Sequence, residues 1–236
     1  MSVLLSVEDL TVAYAKIRAV DRVSLAVPRG SCVALLGPNG AGKSSLLRAI
    51  AGLAPRDGRI VFDGEPIHDL PAHAIARRGI CTIPEGRGVF GSLTVAENLR
   101  MAAGDESERE WIARVTAAFP PLATRMGQQA ATLSGGEQQM LALARAVASD
   151  AALITIDEPS LGLAPRLVAE IYDAIRDLRA REHAILLVEQ YASHALSVAD
   201  YVAVMAHGRL AFFGETGELA HAPSLVEQYL GRVAAS

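Results

Sequence analysis

The sequence GPNGAGKS at residues 37–44 combines the residue types that a phosphate-binding loop requires. Its glycines let the backbone amides turn inward, so that these amides and the start of a following helix can receive a β-phosphate. Lys43 would bridge the β- and γ-phosphates, and the Ser44 hydroxyl would ligate Mg²⁺. Lysine occurs only at positions 16 and 43 among the 22 basic residues, and a compact ammonium fits between phosphates where a planar guanidinium does not. The segment therefore predicts a nucleoside triphosphate site.

Two adjacent carboxylates, Asp157 and Glu158, follow the apolar run at residues 152–156. A continuous apolar run is typical of a strand buried in a parallel sheet, and ligands bind at the carboxyl edge of such a sheet. Asp157 can belong to the Mg²⁺ shell, and Glu158 can orient and deprotonate an attacking water. The alternative is that both carboxylates only cap a turn.

The sequence LSGGEQ at residues 133–138 places a hydroxyl and two glycines at the start of a predicted helix. Ser134 and Glu137 have the spacing of a capping box, which is the simpler interpretation. Two glycines in a first helical turn cost roughly 1 kcal/mol each relative to alanine, and a close backbone approach to a ligand would justify them. A second phosphate-facing surface on the same chain suggests a nucleotide clamped between two copies or two relatives.

The elements that must position these residues follow from hydrophobic patterning. Short apolar runs alternate with turns over residues 2–36 and predict an antiparallel edge that leads into a buried strand at 32–36. Further elements are predicted as a helix at about 42–51, strands at 59–62, 80–83, 152–156 and 184–188, a helix at 167–181, and a hairpin with strands at 201–205 and 209–213. The result is an α/β nucleotide-binding core with a mostly parallel sheet.

The middle of the chain is predicted to be helical, because the apolar residues between 94 and 148 recur with a helical period. Three capping boxes are predicted there, at Thr94/Glu97, Ser107/Glu110 and Ser134/Glu137. An apolar helix face is formed by Trp111, Ile112, Val115, Ala118 and Phe119, which we interpret as core and not as a ligand site. A helical insertion at roughly 88–148 therefore divides the core.

Composition narrows the class of protein. The 236 residues carry a net charge of −4, which leaves no basic surface for nucleic acid. No run approaches the ~20 apolar residues that cross a bilayer, and the first residues lack the pattern of an export signal. Cys32 and Cys81 lie in strand-like apolar runs and are expected to be buried reduced thiols. We expect a cytosolic protein whose membrane role, if any, depends on a partner.

The phosphate loop, LSGGEQ and the strand-borne Asp157-Glu158, in this order and spacing, resemble the ATP-binding cassette (ABC) family over essentially the whole chain. The motifs IPEGR (83–87), LTVAENL (93–99), SLGLAP (160–165) and VEQ (188–190) resemble the LivF-like ATPase subunits of branched-chain amino-acid importers. The resemblance implies one P-loop NTPase cassette, with a core at about 1–87 and 149–236 and a helical subdomain at about 88–148.

The resemblance also implies an ATP hydrolase that uses Mg²⁺ and works as a head-to-tail dimer. Each ATP would be held by the phosphate loop of one protomer and by the LSGGEQ sequence (133–138) of the other, which is called the signature segment below. The implied ATP-binding residues are Gly37, Pro38, Asn39, Gly40, Ala41, Gly42, Lys43, Ser44 and Ser45 of one protomer and Ser134, Gly135, Gly136 and Gln138 of the other. Tyr14 would stack on adenine, and a core tyrosine is the alternative.

Three positions depart from the wider cassette pattern. Glu85 replaces a glutamine, and it could ligate the metal or repel the γ-phosphate. Gln190 replaces a histidine, so it can donate a hydrogen bond to the γ-phosphate but cannot titrate. Ala164 replaces an aspartate, so one contact across the dimer is missing. Glu85 and Gln190 both match the LivF-like group.

The predicted function is the ATPase subunit of an importer, on the cytoplasmic face of the membrane. Its partners would be membrane permease subunits, a second cassette that is a relative or a copy, and indirectly a substrate-binding protein. The resemblance implies that the residues after Glu85, through the start of the helical insertion near Asn98, form the groove for a permease helix, with Val89, Phe90, Leu93 and Val95 as its apolar surface or as core. Importers of urea or short amides and non-transport cassettes acting on DNA or ribosomes are the alternatives, whereas a nucleotide kinase is excluded because it would leave the LSGGEQ helix start unexplained.

Overall fold

The computed structural model of the protein describes residues 2–86 and 88–219. Met1, Arg87 of the IPEGR motif and residues 220–236 of the predicted core lie outside the described residues. The strands are β1 (Val3–Tyr14), β2 (Ile17–Pro28), β3 (Cys32–Leu36), β4 (Asp57–Phe62), β5 (Glu65–Pro66), β6 (Ile80–Ile83), β7 (Leu153–Asp157), β8 (Ala184–Glu189), β9 (Tyr201–Ala206) and β10 (Arg209–Glu215). The helices are α1 (Lys43–Ile50), α2 (Ala72–Arg77), α3 (Val95–Ala103), α4 (Glu108–Ala118), α5 (Pro120–Ala123), α6 (Gly135–Ala148), α7 (Pro165–Ala180), α8 (Ala192–Leu196) and α9 (Thr216–Leu219).

Two sheets form the core. The first is antiparallel, with strand order β2-β1-β4-β5, and the second has the order β10-β9-β3-β8-β7-β6. Within the second sheet β9, β3, β8, β7 and β6 are parallel, and β10 alone runs antiparallel as the outer strand of a hairpin. The fully buried strands β3, β7 and β8 are apolar along nearly their whole length because both faces of the sheet are covered. The predicted α/β fold with a mostly parallel sheet and an antiparallel β edge is confirmed.

The parallel strands bring three loops to one edge of the second sheet. Leu36 pairs with Glu189, and Asp157 pairs with Val188, so β3, β7 and β8 end side by side. The phosphate loop continues β3 directly, and Glu158 continues β7. Chain connectivity and strand register therefore concentrate the predicted chemistry at a single edge.

Helices α3 to α6 occupy the chain between β6 and β7. Their shared interior is apolar: Trp111, Val115 and Phe119 are buried, and Ile112 and Ala118 pack against the same cluster. The apolar face of α4 is thus core, as its spacing predicts. The boundaries of a separate helical subdomain stay a prediction.

Two of the three predicted capping boxes are present, at the starts of α3 and α6. They are Thr94 with Glu97 and Ser134 with Glu137. The third prediction is wrong, because the Ser107 hydroxyl donates to the Glu110 carboxylate instead of accepting from the Glu110 amide. That amide donates to the Ser107 carbonyl, so the turn already satisfies it and the hydroxyl is left for the side chain.

The two cysteines are free thiols in different settings. Cys32 on β3 is buried, and burial raises its pKa to about 12. Cys81 on β6 is only partly buried, although burial raises its pKa too. Within the described ranges, none of the helices is both long enough and apolar enough to cross a membrane.

Candidate functional site

The loop between β3 and α1 is held against the backbone of two other strands. Gly37 has φ +152° and Gly42 has φ +101°, conformations that residues with a Cβ rarely adopt. A Cβ at Gly37 would collide with the Met205 carbonyl oxygen, and one at Gly42 would collide with the Ala19 carbonyl oxygen. Glycine is therefore required at both positions for the loop to approach these strands.

The first turn of α1 is left open. Its N-cap is Gly42, no side chain makes a capping hydrogen bond, and no acidic residue lies in the turn. The first amides of a helix have no partner within the helix, and the helix dipole favours an anion there. The start of α1 is consequently able to bind a phosphate through its backbone.

Lys43 is the central charge of the loop. It is 4% exposed, and its Nζ donates to the carbonyl oxygens of Gly37 (2.8 Å) and Pro38 (3.2 Å). The same Nζ lies 3.6 Å from Oε1 of Glu158. The ammonium thus ties the loop to the end of β7 and places a positive charge beside the open helix start.

The Asp157 carboxylate provides an oxygen that has no hydrogen-bond donor among the described residues. Asp157 is buried and its Oδ1 is unpartnered. Burial raises the pKa of Asp157, the charge of Glu85 adds to this, and a hydrogen bond with Ser44 together with Lys43 and Arg48 opposes it. A buried carboxylate oxygen beside a hydroxyl is a donor pair that suits Mg²⁺.

No group of three His, Cys, Asp or Glu side chains that could hold a metal occurs in residues 2–86 and 88–219. Mg²⁺ does not need such a group, because it commonly takes one or two protein oxygens and completes its shell with phosphates and water. Ser44 and Asp157 therefore fit the ion.

Glu158 lies in a strained turn directly after β7. Its φ is +47°, and its amide donates to the Val188 carbonyl at 3.0 Å. Burial raises the pKa of Glu158, as do the charges of Asp157, Glu85 and Glu189, while Lys43 lowers it. A carboxylate whose proton affinity is raised in this way is suited to take a proton from water.

A cavity of about 470 Å³ brings these features together. Its lining residues are Tyr14, Ala19, Asn39, Gly40, Ala41, Gly42, Lys43, Ser44, Ser45, Glu85, Glu158 and Leu161. Tyr14, at the end of β1, is 38% exposed, so its ring is accessible and is not a core tyrosine. Ala19 and Leu161 were not predicted; the only signal in the sequence is that Leu161 follows Glu158 by three positions.

Several predicted site residues lie outside this lining. Gly37, Pro38 and Asp157 are not among its residues, although the Gly37 and Pro38 carbonyls accept from Lys43. Gln190 is also absent from it; it follows β8, and its amide donates to Oε2 of Glu189 at 3.1 Å. Among the described residues the lining also contains none of Ser134, Gly135, Gly136 and Gln138. The structure of one chain does not bring the signature segment to the phosphate loop.

The signature segment forms a helix start of its own at α6. The Ser134 hydroxyl accepts from the Glu137 amide, and the Glu137 carboxylate accepts from the Ser134 amide. Arg125 pairs with that carboxylate at 2.7 Å, and the Gln138 side chain donates to the Ala130 carbonyl at 2.9 Å. The capping box is therefore real, and Ser134 itself is exposed.

A buried carboxylate that was not predicted as a site residue lies beside the nucleotide edge. Glu189 ends the apolar strand β8 and is 1% exposed. It accepts hydrogen bonds from the Tyr172 hydroxyl at 2.7 Å and from the Ser160 amide at 3.3 Å. A glutamate that ends an otherwise apolar buried strand was the available signal in the sequence.

Comparisons with known proteins show the family to which the chain belongs. A profile of the ABC transporter family matches residues 20–161. The high-affinity branched-chain amino acid transport ATP-binding protein BraG of Pseudomonas aeruginosa is 41% identical over 233 residues, which cover 97% of this chain and 100% of that protein. The probable branched-chain amino acid transport ATP-binding protein LivF of Archaeoglobus fulgidus is 39% identical over 221 residues, which cover 92% and 94%.

A crystal structure of an ATP-binding cassette of an ABC transporter in its ADP conformation has a TM-score of 0.82 and 25% identity, and it covers 96% of this chain and 98% of that one. The fold and the family predicted from the sequence are both confirmed. The chain belongs to the ABC transporter family, as one of its ATP-binding cassettes.

Proposed function

We propose that this chain is the ATP-hydrolysing subunit of an importer of branched-chain amino acids. As a member of the ABC transporter family it is a nucleotide-binding ATPase. The observation that carries the proposal is the 41% identity with BraG over the whole of that protein. The edge of the second sheet also presents the charged side chains that ATP hydrolysis needs, Lys43, Asp157 and Glu158. The substrate class rests on this similarity alone, because no residue of this chain would contact the transported molecule.

In this proposal the phosphates of ATP bind the open start of α1 and the Lys43 ammonium. Ser44 and Asp157 would hold Mg²⁺, whose charge would neutralise the phosphate oxygens, with Glu85 as a further oxygen ligand. Besides burial, the charge of Glu85 raises the pKa of both Asp157 and Glu158, and Asp157 also raises that of Glu158; a divalent cation would reduce this repulsion. Tyr14 would stack on the adenine from the rim of the cavity.

Glu158 would act as the general base for the attacking water, and the Gln190 side chain would donate a hydrogen bond to the γ-phosphate. Both side chains follow neighbouring strands, β7 and β8, which supports a shared role at this edge. Because an amide does not titrate, turnover would not require an ionisation near the ordinary histidine pKa of about 6.5.

A second cassette would complete the site. The cavity is open, and the signature segment of the same chain does not line it. Leu161 at the cavity is 48% exposed and Tyr191 after Gln190 is 58% exposed, so both side chains are accessible to a second cassette. Residues 134–138 of a copy or a relative would close over the nucleotide from this side.

The permease would dock in a groove beside α3 and α6. This groove of about 870 Å³ lies between the core and the helices, and Leu53, Ile75, Cys81, Met101 and Arg145 are among its lining residues. Leu53 and Met101 are exposed there although they are large and apolar. Of the apolar residues predicted for the groove, Val95 is fully buried and Val89 packs against the core, whereas Phe90 is 44% exposed and its ring lies against Arg145 of this lining. Bound there, the subunit would lie on the cytoplasmic face of the membrane.

The test of the assembly is recovery of the tagged chain from native membranes in mild detergent, followed by identification of what accompanies it. We expect two hydrophobic permease subunits and a second cassette ATPase. Uptake of labelled leucine by vesicles that contain the recovered complex would then support the substrate class. A complex that takes up urea or a short amide instead would contradict it, and recovery with ribosomes or DNA would contradict transport.

The test of the chemistry is the Glu158→Gln variant. We expect ATP binding to be retained and turnover to fall by roughly 10²-fold or more, as for the loss of a general base. Near-normal hydrolysis by this variant would remove Glu158 from its proposed role while leaving the transport proposal open to the membrane experiment.

A further inference from the structure

Glu189 is an ionisable group in the interior, and its burial needs an explanation. The carboxylate is 1% exposed, and burying a charge is costly unless hydrogen bonds compensate for the lost water. Three donors surround it: the Tyr172 hydroxyl and the Ser160 amide at Oε1, and the Gln190 amide at Oε2. An apolar side chain at this position would avoid the cost of burying a carboxylate. A role for Glu189 must therefore lie in the hydrogen bonds that it accepts.

The three donors belong to three different segments. Tyr172 lies on α7 and is itself buried, and burial together with the Glu189 charge raises the pKa of its hydroxyl, so that it remains a donor. Ser160 lies two positions after Glu158, and Gln190 follows Glu189 directly. One carboxylate thus ties the loop after β7 and the loop after β8 to a rigid helix.

The loop that carries Glu158 needs such support. The left-handed φ of +47° at Glu158 is unfavourable for a residue with a Cβ and persists only where its surroundings hold it. Val188 holds the loop before the strained residue, because its carbonyl accepts from the Glu158 amide at 3.0 Å. Glu189 holds it after that residue, because its carboxylate accepts from the Ser160 amide at 3.3 Å. Successive residues of β8 therefore hold the turn from both sides.

We propose that Glu189 is a positioning residue for ATP hydrolysis, whose carboxylate, held by the Tyr172 hydroxyl, sets the place of Glu158 through Ser160 and the place of Gln190 through its backbone amide. The inference rests on the proposed function of Glu158 and Gln190 and extends it to two residues that would not touch ATP. Its consequence is that turnover depends on the Tyr172 and Glu189 side chains more strongly than ATP binding does.

The experiment measures kcat, KM, the dissociation constant for ATP and the melting temperature in the complex recovered from membranes. The variants are Glu189→Ala, which removes every bond, Glu189→Gln, which keeps an acceptor for Ser160 and Tyr172, and Tyr172→Phe, which removes one hydroxyl. Thr155→Val is the matched control, because it removes a buried hydroxyl of the same sheet that bonds to Thr82 and makes no bond to Glu189.

We expect Glu189→Ala to lower kcat at least about 10-fold, because displacing a catalytic group by about 1 Å costs up to ~10²-fold in rate. Tyr172→Phe should give a smaller loss, and Glu189→Gln should recover part of the activity. The ATP dissociation constant should change less than about twofold in all of them, since the phosphates bind on α1 and its loop. Thr155→Val should lower the melting temperature without a selective loss of kcat.

The proposal is overturned if Tyr172→Phe and Glu189→Gln both keep normal kcat, even where Glu189→Ala fails to fold. It is also overturned if kcat and ATP affinity fall together in proportion to the melting temperature, as for a purely structural residue. Glu158→Gln, measured beside them, separates the two proposals. Retained turnover there removes the base assignment, whereas lost turnover there with normal Tyr172 and Glu189 variants removes only the positioning role.

Discussion

Two helices of this chain begin with glycine-rich, hydroxyl-bearing segments, yet their first turns differ in what they leave unsatisfied. The start of α1 has a glycine N-cap, no capping side chain and no acidic residue. The start of α6 has a serine N-cap, a complete capping box and an acidic residue, Glu137, whose carboxylate pairs with Arg125. The start of α1 therefore has free backbone amides for an anion, whereas some of the amides at the start of α6 already donate to the side chains of the capping box.

The difference shows how similar residue types serve two roles. Around α1 the sheet supplies Lys43, Asp157 and Glu158 from neighbouring strand ends, so one chain contains the charged part of the site. Around α6 the exposed Ser134 hydroxyl lies beside two glycines, and the carboxylate of Glu137 is already bonded by the Ser134 amide and by Arg125. This asymmetry supports the proposal that a nucleotide is held between two cassettes, because each chain would then contribute a different half.

The largest effect on stability is expected from a substitution at Gly42, the N-cap of α1. In Gly42→Ala the new Cβ collides with the Ala19 carbonyl oxygen at a φ of +101°. We expect a loss of about 3 kcal/mol or more in the free energy of unfolding, since backbone strain and overpacking each cost about 1–3 kcal/mol. Denaturant unfolding followed by circular dichroism measures it. Gly40→Ala is the control, because φ is +79° there but no atom lies near the added Cβ. Equal effects of the two variants would argue against the packing of the loop.

Lys43→Ala tests the charge beside the open helix start. We expect ATP affinity to fall roughly 10- to 100-fold, because hydrogen bonds to a charged group contribute about 1.5–3 kcal/mol. Titration calorimetry measures the affinity, and Lys16→Ala, at the exposed turn between β1 and β2, is the matched lysine control. Unchanged ATP affinity in Lys43→Ala would mean that the α1 amides alone bind the phosphates.

Ser134→Ala tests the capped helix. We expect it to cost about 1 kcal/mol in the free energy of unfolding, the usual value for the loss of an N-cap hydroxyl. Ser107→Ala should cost less, because Ser107 does not cap the backbone of α4. Both are measured by denaturant unfolding, and equal costs would contradict the distinction between the two helix starts.

The pH dependence of the Ser134 effect follows from Glu137. The Ser134 amide, and after it the Ser134 hydroxyl, hold the pKa of Glu137 below its ordinary value of 4.5. Bonds to this carboxylate therefore contribute stability above pH 4.5, and that contribution is lost as the pH falls through the lowered pKa of the folded protein. We expect the difference between wild type and Ser134→Ala to shrink over that range without vanishing, because the bond from the Glu137 amide to the hydroxyl does not titrate.

Gly136→Ala should have the smallest effect on folding. The added Cβ would lie 2.7 Å from the flexible end of Leu167, while alanine gains up to about 1 kcal/mol of helix propensity. We expect an unfolding free energy within about 1 kcal/mol of wild type together with reduced turnover in the assembled complex. A variant with normal stability and normal turnover would show that a close approach to nucleotide does not require glycine at this position.

The local parts of the site could be predicted because each depends on residues close together in sequence. The strand, loop and helix around Gly37–Ser44 follow from the order of apolar residues and glycines, as do the capping boxes of α3 and α6. The capping box predicted at Ser107 and Glu110 was wrong, because a spacing of three residues brings the two side chains close together but does not determine which hydrogen bond forms. The Glu110 amide had a carbonyl within reach, and the hydroxyl turned to the carboxylate.

By itself, the sequence determined the family, the order of the elements and the residues of the phosphate loop, because these depend on hydrogen bonds and apolar periods within a few residues. Only the tertiary structure decided that Tyr14, Glu85 and Leu161 share one cavity and that Gln190 lies outside its lining. It also placed the Ser160 amide on Glu189, 29 positions away in the chain. Such contacts depend on the parallel register of β3, β7 and β8, which no spacing along the chain encodes.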